Sequence, residues 1–310
     1  MTSIGTGGRT GIALAFATAC ISGVAVWVNG HAVTHFTDAT VYTTAKDAVA
    51  GVLLIALAVS WPRRRSAPTP SSGNLSQGRR RWLGLAAVAV VGGSVPFVLF
   101  FEVLARATAT QASFLQKTLV IWVALLAVPL LREKLRWPHF LAIALLIGGQ
   151  AWLVPAVGTV KFGEGEAMIL GATLLWSVEV IVVKKLLVGM SPRTLAAARM
   201  GLGTALLFGW LAIDGKMGTF TSLSAQQWRW AVLTGLILTA YVGTWYAALS
   251  LAGAIDVTAV LVFGAVVTAA LSGAFDGASV NAGGIALIAL GTLITAALAL
   301  RRRPAEVLAT

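Results

Sequence analysis

The chain has 310 residues, of which 58% are hydrophobic and 11% charged, and its mean hydropathy is +0.87. Ordinary soluble domains carry about 25% charge, which weighs against a soluble two-domain enzyme, and disorder needs low hydrophobicity. The formal charge of +12 would point to nucleic acid in a soluble protein. Here, however, Lys and Arg cluster in short loops between apolar runs, where they set membrane orientation, so no nucleic-acid partner is expected. A single cysteine, Cys20, excludes an internal disulfide and a thiolate metal cluster within one chain. The partner that composition does imply is a lipid bilayer.

Taken in chain order, ten apolar runs are long enough to cross ~30 Å of hydrocarbon: 11–30, 39–60, 82–104, 109–131, 139–155, 165–187, 193–212, 229–250, 255–274 and 281–300. Several are rich in Ala and Leu and lack the alternation of barrel strands, so helices are expected. The fold class is therefore an all-α polytopic membrane protein. In the first run, Ala17–Cys20 only faintly resembles a lipoprotein cleavage site, and Cys20 reads as a small core residue. The Pro-, Ser- and Arg-rich stretch 61–81 reads as a basic loop near anionic lipid, which makes the sequon at Asn74 irrelevant. Pro96, beside Gly92 and Gly93, is expected to kink the third span.

Orientation follows from the cations. With the N-terminus inside, Arg9, Arg63–Arg65, Arg79–Arg81, Arg132, Lys134, Arg136, Lys184, Lys185, Arg193 and Arg301–Arg303 all fall on the inner face. The outer face holds only Arg106, Lys161, Lys216 and Arg229. This asymmetry places both termini in the cytoplasm, and the localisation expected is the inner (plasma) membrane. Trp61, Trp82, Trp137, Trp228 and Trp230 then fall at membrane interfaces.

The chain also looks duplicated. Trp27 matches Trp176, Lys46 matches Arg199, residues 108–118 echo 253–263, and Gly148 matches Gly291. Each half holds five spans, and an odd number inverts the second half. Ten transmembrane helices as two inverted five-helix repeats, 1–155 and 156–310, is an architecture of secondary transporters, with the substrate site near the midplane.

These residues carry a family resemblance. LLWSVEVIVVKKLL (174–187), YAALSLAGAIDVTAVL (246–261) and ASFLQKTLVIWVALLAVPLLREKL (112–135), with the basic positions Lys46 and Arg199, resemble the drug/metabolite transporter superfamily, in particular its ten-helix EamA-type members. The resemblance covers nearly the whole chain. It implies efflux of small metabolites, amino acids or related compounds or drug-like solutes, by alternating access. The chain departs from the family pattern at Val120 and Val266, where proline is common, and at Phe275-Asp276-Gly277.

Three cations, Lys46, Lys117 and Arg199, lie within spans. Each costs about 2.5–3.5 kcal/mol at a helix centre unless it finds a partner or a polar cavity. Lys46 and Lys117 have stems long enough to snorkel outward, with Asp47, Glu102 and His31 as candidate partners. Glu179 is placed to pair with Arg199. An unpaired lysine would hold a substrate carboxylate or phosphate, and Lys117 is the sharper candidate because a basic residue at Lys46 and Arg199 is a family feature. Glu179, Glu102 or His31 is a candidate proton carrier. Trp27, Trp122, Trp176, Tyr241, Trp245 and Tyr246 are candidates for stacking on planar or cationic solutes. No ATP-binding loop, nucleophile elbow or zinc-protease motif is present, so neither cofactor nor catalytic residue is expected. His31, His35 and Asp38 make only a weak metal site. The alternative readings are a membrane-embedded enzyme on lipid-linked substrates and a non-transporting scaffold. The oligomeric expectation is a monomer or homodimer.

Overall fold

The computed structural model describes residues 4–60, 75–104, 109–153 and 163–301. The predicted features at Trp61, Arg63–Arg65, Asn74, Arg106, Lys161, Arg302 and Arg303 lie outside them. Among the described residues every regular element is a helix. In order they are α1 (Ile4–Val33), α2 (Ala39–Ser60), α3 (Leu75–Val91), α4 (Val95–Leu104), α5 (Ala109–Lys117), α6 (Leu119–Leu131) and α7 (Trp137–Leu153), then α8 (Glu164–Leu186), α9 (Pro192–Ile213), α10 (Met217–Thr221), α11 (Ala225–Leu251), α12 (Ala254–Leu261), α13 (Gly264–Phe275) and α14 (Ala282–Arg301).

Among the described residues, nine stretches are long and apolar enough to span a bilayer, and α7 is a shorter apolar tenth of 17 residues. At 1.5 Å per residue α7 reaches about 26 Å. The protein is thus a multi-pass membrane protein of ten transmembrane helices in two five-span repeats, α1–α7 and α8–α14. Ten alternating spans bring α1 and α14 to one face, called here the terminal face; the opposite one is the far face.

Three of the expected spans are each built from two helices, the first of them the span in which Pro96 was expected to make a kink. The span at 82–104 breaks between α3 and α4. Pro96 has no N–H, so it cannot donate the helical bond to the Gly92 carbonyl, and the chain turns through residues 92–94. The spans at 109–131 and 255–274 break without proline. There the backbone tightens into i→i+3 bonds, Thr118 N–H to Leu115 O (3.2 Å), Val262 N–H to Ala259 O (3.2 Å) and Phe263 N–H to Val260 O (3.0 Å), the 3₁₀ geometry of a helix under local strain. The two breaks occupy corresponding places in the two repeats.

The repeats interleave. α7 lies along α14, α1 along α11 and α13, α2 along α9 and α11, and both α4 and α6 along α8. Small residues allow the closest approaches. A Cβ on Gly203 of α9 would stand 2.5 Å from the Gly93 carbonyl oxygen, and one on Gly149 would stand 2.8 Å from the Gly284 carbonyl oxygen. Gly148, the residue before Gly149, has open space around it. Cys20 is a correction. It is exposed on α1 rather than in the core, because Ala15, Thr18 and Ala19 take the inward positions and one turn has room for only one such stripe.

Gly203→Ala is expected to force α9 from the α3–α4 turn and to cost about 1–3 kcal/mol, as overpacking does. Gly209→Ala, in the same helix with nothing within 4 Å, is expected to be neutral or to stabilise. Thermal unfolding of the purified protein in detergent, comparing the two variants with the wild type, checks both.

Candidate functional site

A cavity of about 840 Å³, solvent at its opening included, lies inside the bundle. Its lining comes from α1 (Ser22, Ala25, Val26, Asn29), α2 (Lys46), α4 (Phe97, Phe100, Phe101), the α5–α6 region (Gln116, Lys117, Leu119), α8 (Trp176, Glu179, Val180), α9 (Arg199), α11 (Leu238, Tyr241, Trp245) and α12 (Leu261). By their positions along the helices these residues occupy the middle of the bundle, those of α1, α2 and α4 toward the far face and Glu179, Arg199, Trp245 and Leu261 toward the terminal face. Both repeats contribute.

The break between α3 and α4 builds one wall. Relieved of its helical donor by Pro96, the Gly92 carbonyl accepts from Arg199 Nη2 (3.0 Å) and from Trp176 Nε1 (3.3 Å). Arg199 Nε is 2.9 Å from Glu179 Oε1, and both side chains are buried. Glu179 also accepts the Tyr246 hydroxyl. Gly92 has no side chain where a Cβ would collide with the Glu179 carboxyl group, so a glycine is required at this point. The expected Glu179–Arg199 pair is therefore present, within a five-residue network.

Lys46 and its repeat mate Arg199 flank one aromatic ring. Lys46 Nζ lies 4.7 Å from the Phe97 centroid and 3.9 Å from that of Phe101, and Arg199 Cζ lies 5.4 Å from Phe97. Desolvated cation–π contacts contribute about 2 kcal/mol each. Asp47 Oδ1 is 3.6 Å from Lys46 Nζ.

Lys117 stands differently. It is buried, and its ammonium donates to the Ser22 hydroxyl at 2.9 Å. Of the three fully buried Lys and Arg side chains among the described residues, it alone has no carboxylate partner. Its position in the last turn of α5 places it at the negative end of that helix. Neither lysine snorkels to the surface, because the cavity offers polar atoms closer than the membrane interface does.

Other expected residues are directed elsewhere. Trp27 Nε1 donates to Asp276 (2.8 Å), and His31 Nε2 lies 3.2 Å from the same carboxylate near the far face. Glu102 accepts from Thr40 and does not line the cavity, nor does Trp122. His35 stacks on Trp230 and Asp38 pairs with Lys216, so the suggested His31–His35–Asp38 metal group does not converge. Trp176, Tyr241 and Trp245 do line the cavity, the last two with stacked rings 6.2 Å apart. The sequence reading missed Phe97, Phe101, Ser22, Asn29 and Gln116. Only Gly92 and Pro96 had carried a local signal, read as a kink rather than as a source of a free carbonyl.

The terminal face is tied across the repeats. Arg132, in a left-handed conformation (φ 57°), ends α6, and the next residue, Glu133, reaches the N-terminus of α12. Its carboxylate accepts from Ala254 N–H (2.7 Å) and Ile255 N–H (3.1 Å). Lys184 donates to the carbonyls of Leu249 and Ala252, both at 3.0 Å, at the end of α11. His139 lies 3.8 Å from Asp256, both buried. At the far face Lys216 bridges Asp38 and Asp214, each at 2.7 Å. Burial opposes the charge on Asp38, but the Lys216 ammonium and the Val41 amide together hold its carboxyl below the ordinary 3.8. Hydrogen bonds to Asp214 and Asp38 hold Lys216 above the ordinary 10.5.

The model of the EamA-like transporter family matches this chain twice, over residues 9–154 and 163–300. A protein of Archaeoglobus fulgidus named "Uncharacterized transporter" is 28% identical over 162 residues, covering 51% of this chain and 52% of that protein. The chain thus spans about half the length of the curated relative it matches. A solved structure described as "Crystal structure of protein" superposes with a TM-score of 0.68 over 91% of this chain and 99% of that one, at 16% identity, a likeness of fold.

Two tests follow from the end contacts. Glu133→Ala leaves two buried amides without acceptors and is expected to cost about 2–4 kcal/mol, with Glu133→Gln milder because one acceptor oxygen remains. For Lys216→Met, the loss in melting temperature against the wild type is expected to be largest at neutral pH. The Asp38 contribution is present above the ordinary carboxylate value of 3.8 and is lost as pH falls through its lower folded value. The Lys216 contribution is present below 10.5 and is lost only as pH rises through its higher folded value. A gap that does not change between neutral and strongly acid pH would contradict the pairing.

Proposed function

The chain belongs to the EamA-like transporter family and is a multi-pass membrane transporter, and from that premise we propose that it exports small organic anions across the inner membrane by alternating access. The class is metabolites that carry a carboxylate or phosphate, amino acids and related compounds among them. The observation that carries this reading is Lys117, a buried cation in the cavity wall with a hydroxyl but no carboxylate beside it. A charge in a low-dielectric site is strongly unfavourable unless paired, and a substrate anion supplies the missing partner.

The shape of the polarity supports the same reading. Gln116 and Leu261 stand at matching places in the two repeats, and both line the cavity. The Gln116 Oε1 atom has no partner in the structure, whereas Leu261 is apolar. The cavity is thus polar toward α5 and apolar toward α12, with Trp176, Tyr241 and Trp245 between. An amphipathic solute fits with its anionic end at Lys117 and its carbon frame against the rings. A cavity at mid-depth, lined by both repeats, suits the midplane site of a secondary carrier. A scaffold would pair every intramembrane charge, and Lys117 argues against one. An enzyme acting at one membrane face would need a free cluster of acids or histidines there, and Glu133, His139 and Asp256 are each committed to holding helices.

The test is thermal stability of the purified protein against amino acids, organic anions, aromatic cations, nucleosides and sugar phosphates. A ligand at 100 times its dissociation constant adds about 2.7 kcal/mol. An anionic class is expected to raise the melting temperature, and Lys117→Gln, which keeps a polar side chain, is expected to abolish that rise with the fold intact. The same class is then expected to cross proteoliposomes in counterflow. A rise with aromatic cations alone would move the assignment to Tyr241 and Trp245 and overturn the charge argument.

A further inference from the structure

Asp47 is the buried charge whose position the transport of an anion does not yet explain. Its side chain is fully enclosed, at 0% exposure, and neither carboxylate oxygen has a hydrogen-bond partner. The other buried acids near the cavity and the terminal-face tie have partners: Glu179 has Arg199 and Tyr246, Glu133 two amides, and Asp256 has His139 at 3.8 Å. A dry carboxylate without hydrogen bonds is costly as an anion and much less so as a neutral acid.

The charged groups that face it are few. Lys46, the next residue on α2, lies 3.6 Å away. Arg199 on α9 is near enough to act on it electrostatically, but its guanidinium is engaged with Glu179 and the Gly92 carbonyl. On α2 itself the Tyr42 hydroxyl donates to Asn29. From α4, Glu102 is held by Thr40, toward the far face. α11 contributes hydroxyls such as Thr234 and Tyr241, and its one charged residue, Arg229, stands at its far-face end. α10 carries no charged residue, and Lys216 before it is bound to Asp38 and Asp214. The opposite side of the pair matters as much: Lys46 lines the cavity, and Asp47 does not.

We propose that the Lys46–Asp47 pair is a proton-binding site behind the substrate cavity, which frees Lys46 for an anion when Asp47 takes a proton, so that proton and organic anion bind together. The proposal rests on the anionic reading of the cavity and deepens it. The proton comes from water and goes to an Asp47 oxygen, and Lys46 keeps its own. In the empty site Lys46 offsets Asp47, Arg199 offsets Glu179, and Lys117 leaves one positive charge. After one proton and one monovalent anion bind, the site again holds one positive charge. The loaded and empty carriers therefore present the same net charge, and the solute leaves as a neutral acid equivalent, driven by its own gradient.

Two measurements decide the matter. The first needs no substrate. Infrared difference spectra between neutral and mildly acid pH are expected to show the carbonyl stretch of an isolated carboxylic acid in the wild type. Asp47→Asn is expected to lose that band, and Glu179→Gln to keep it. Absence of the band in the wild type overturns the proposal whether or not any variant folds, and so does its survival in Asp47→Asn. The second uses benzoate as the probe anion, because its own charge does not change between neutral and mildly acid pH. Uptake of one proton with each anion makes affinity rise by about tenfold per pH unit of acidification, and Asp47→Asn is expected to bind with a flat pH profile. Lys117-dependent binding with the same flat profile in the wild type would overturn the proton site while leaving the anionic reading intact. If no anion of any class binds, that reading fails, and the infrared band still decides whether Asp47 takes up a proton.

Discussion

A buried ionised group must find a partner, and in this bundle the partners are largely supplied by broken helices and helix ends. The middle of a continuous helix consumes its own amides and carbonyls and has nothing to offer a charge. Each break or end releases some of them. The turn at residues 92–94 frees the Gly92 carbonyl for Arg199 and Trp176. The start of α12 gives two amides to Glu133, and the end of α11 gives two carbonyls to Lys184. Lys117 closes the last turn of α5. Interrupted backbone is costly in lipid, and so is a buried charge. Placed against each other, each satisfies the other's need, and that exchange fixes where the cavity and its closed end lie.

The interleaving of the repeats limits how such a site can move. The most extensive packing joins helices of different repeats, α7 with α14, α1 with α11, and α2 with α9. The approaches between Gly149 and Gly284 and between Gly93 and Gly203 leave no room for a sliding side chain. Rocking one sequence half against the other would separate these contacts. The cheaper motion keeps the cross-repeat pairs together and bends spans that are already broken, at residues 92–94, Thr118 and Val262–Phe263. Each break lies beside cavity-lining residues, so a change of angle there alters the cavity directly.

What the sequence made legible follows from the same physics. Spans were readable because apolar length is a long-range statistical signal, and the inner placement of Lys46, Lys117 and Arg199 because charges are rare in such runs. The Glu179–Arg199 pair was readable from depth alone. The breaks near Thr118 and Val262 were not, since no proline or glycine marks the turning residue itself and the tightening to i→i+3 bonds is decided by packing. Partners failed for a related reason. Depth places Glu102 and His31 level with Lys117, but it says nothing of rotation about the helix axis, and the structure turns them toward Thr40 and Asp276. Cys20 was misjudged in the same way: its neighbour Ala19 faces inward, and a step of 100° carries the next side chain out.

The duplication also explains where function departs from symmetry. An inverted repeat can give a carrier two equivalent conformations, one facing each side, without asking for two equivalent sites. Trp27 and Trp176 match in sequence, yet Trp176 lines the cavity and Trp27 binds Asp276 near the far face. At the end of the fourth span Glu133 caps α12, whereas at the corresponding end of the ninth Asp276 turns to α1. Most telling is the place of Lys117, whose counterpart by the same register is the buried Val262. A lysine in both repeats would put a second cation with no carboxylate of its own in one small cavity, where like charges repel strongly at low dielectric, whereas Lys46 has Asp47 beside it. The symmetric scaffold thus carries its one fully buried cation without a carboxylate, among the described residues, at a single asymmetric position.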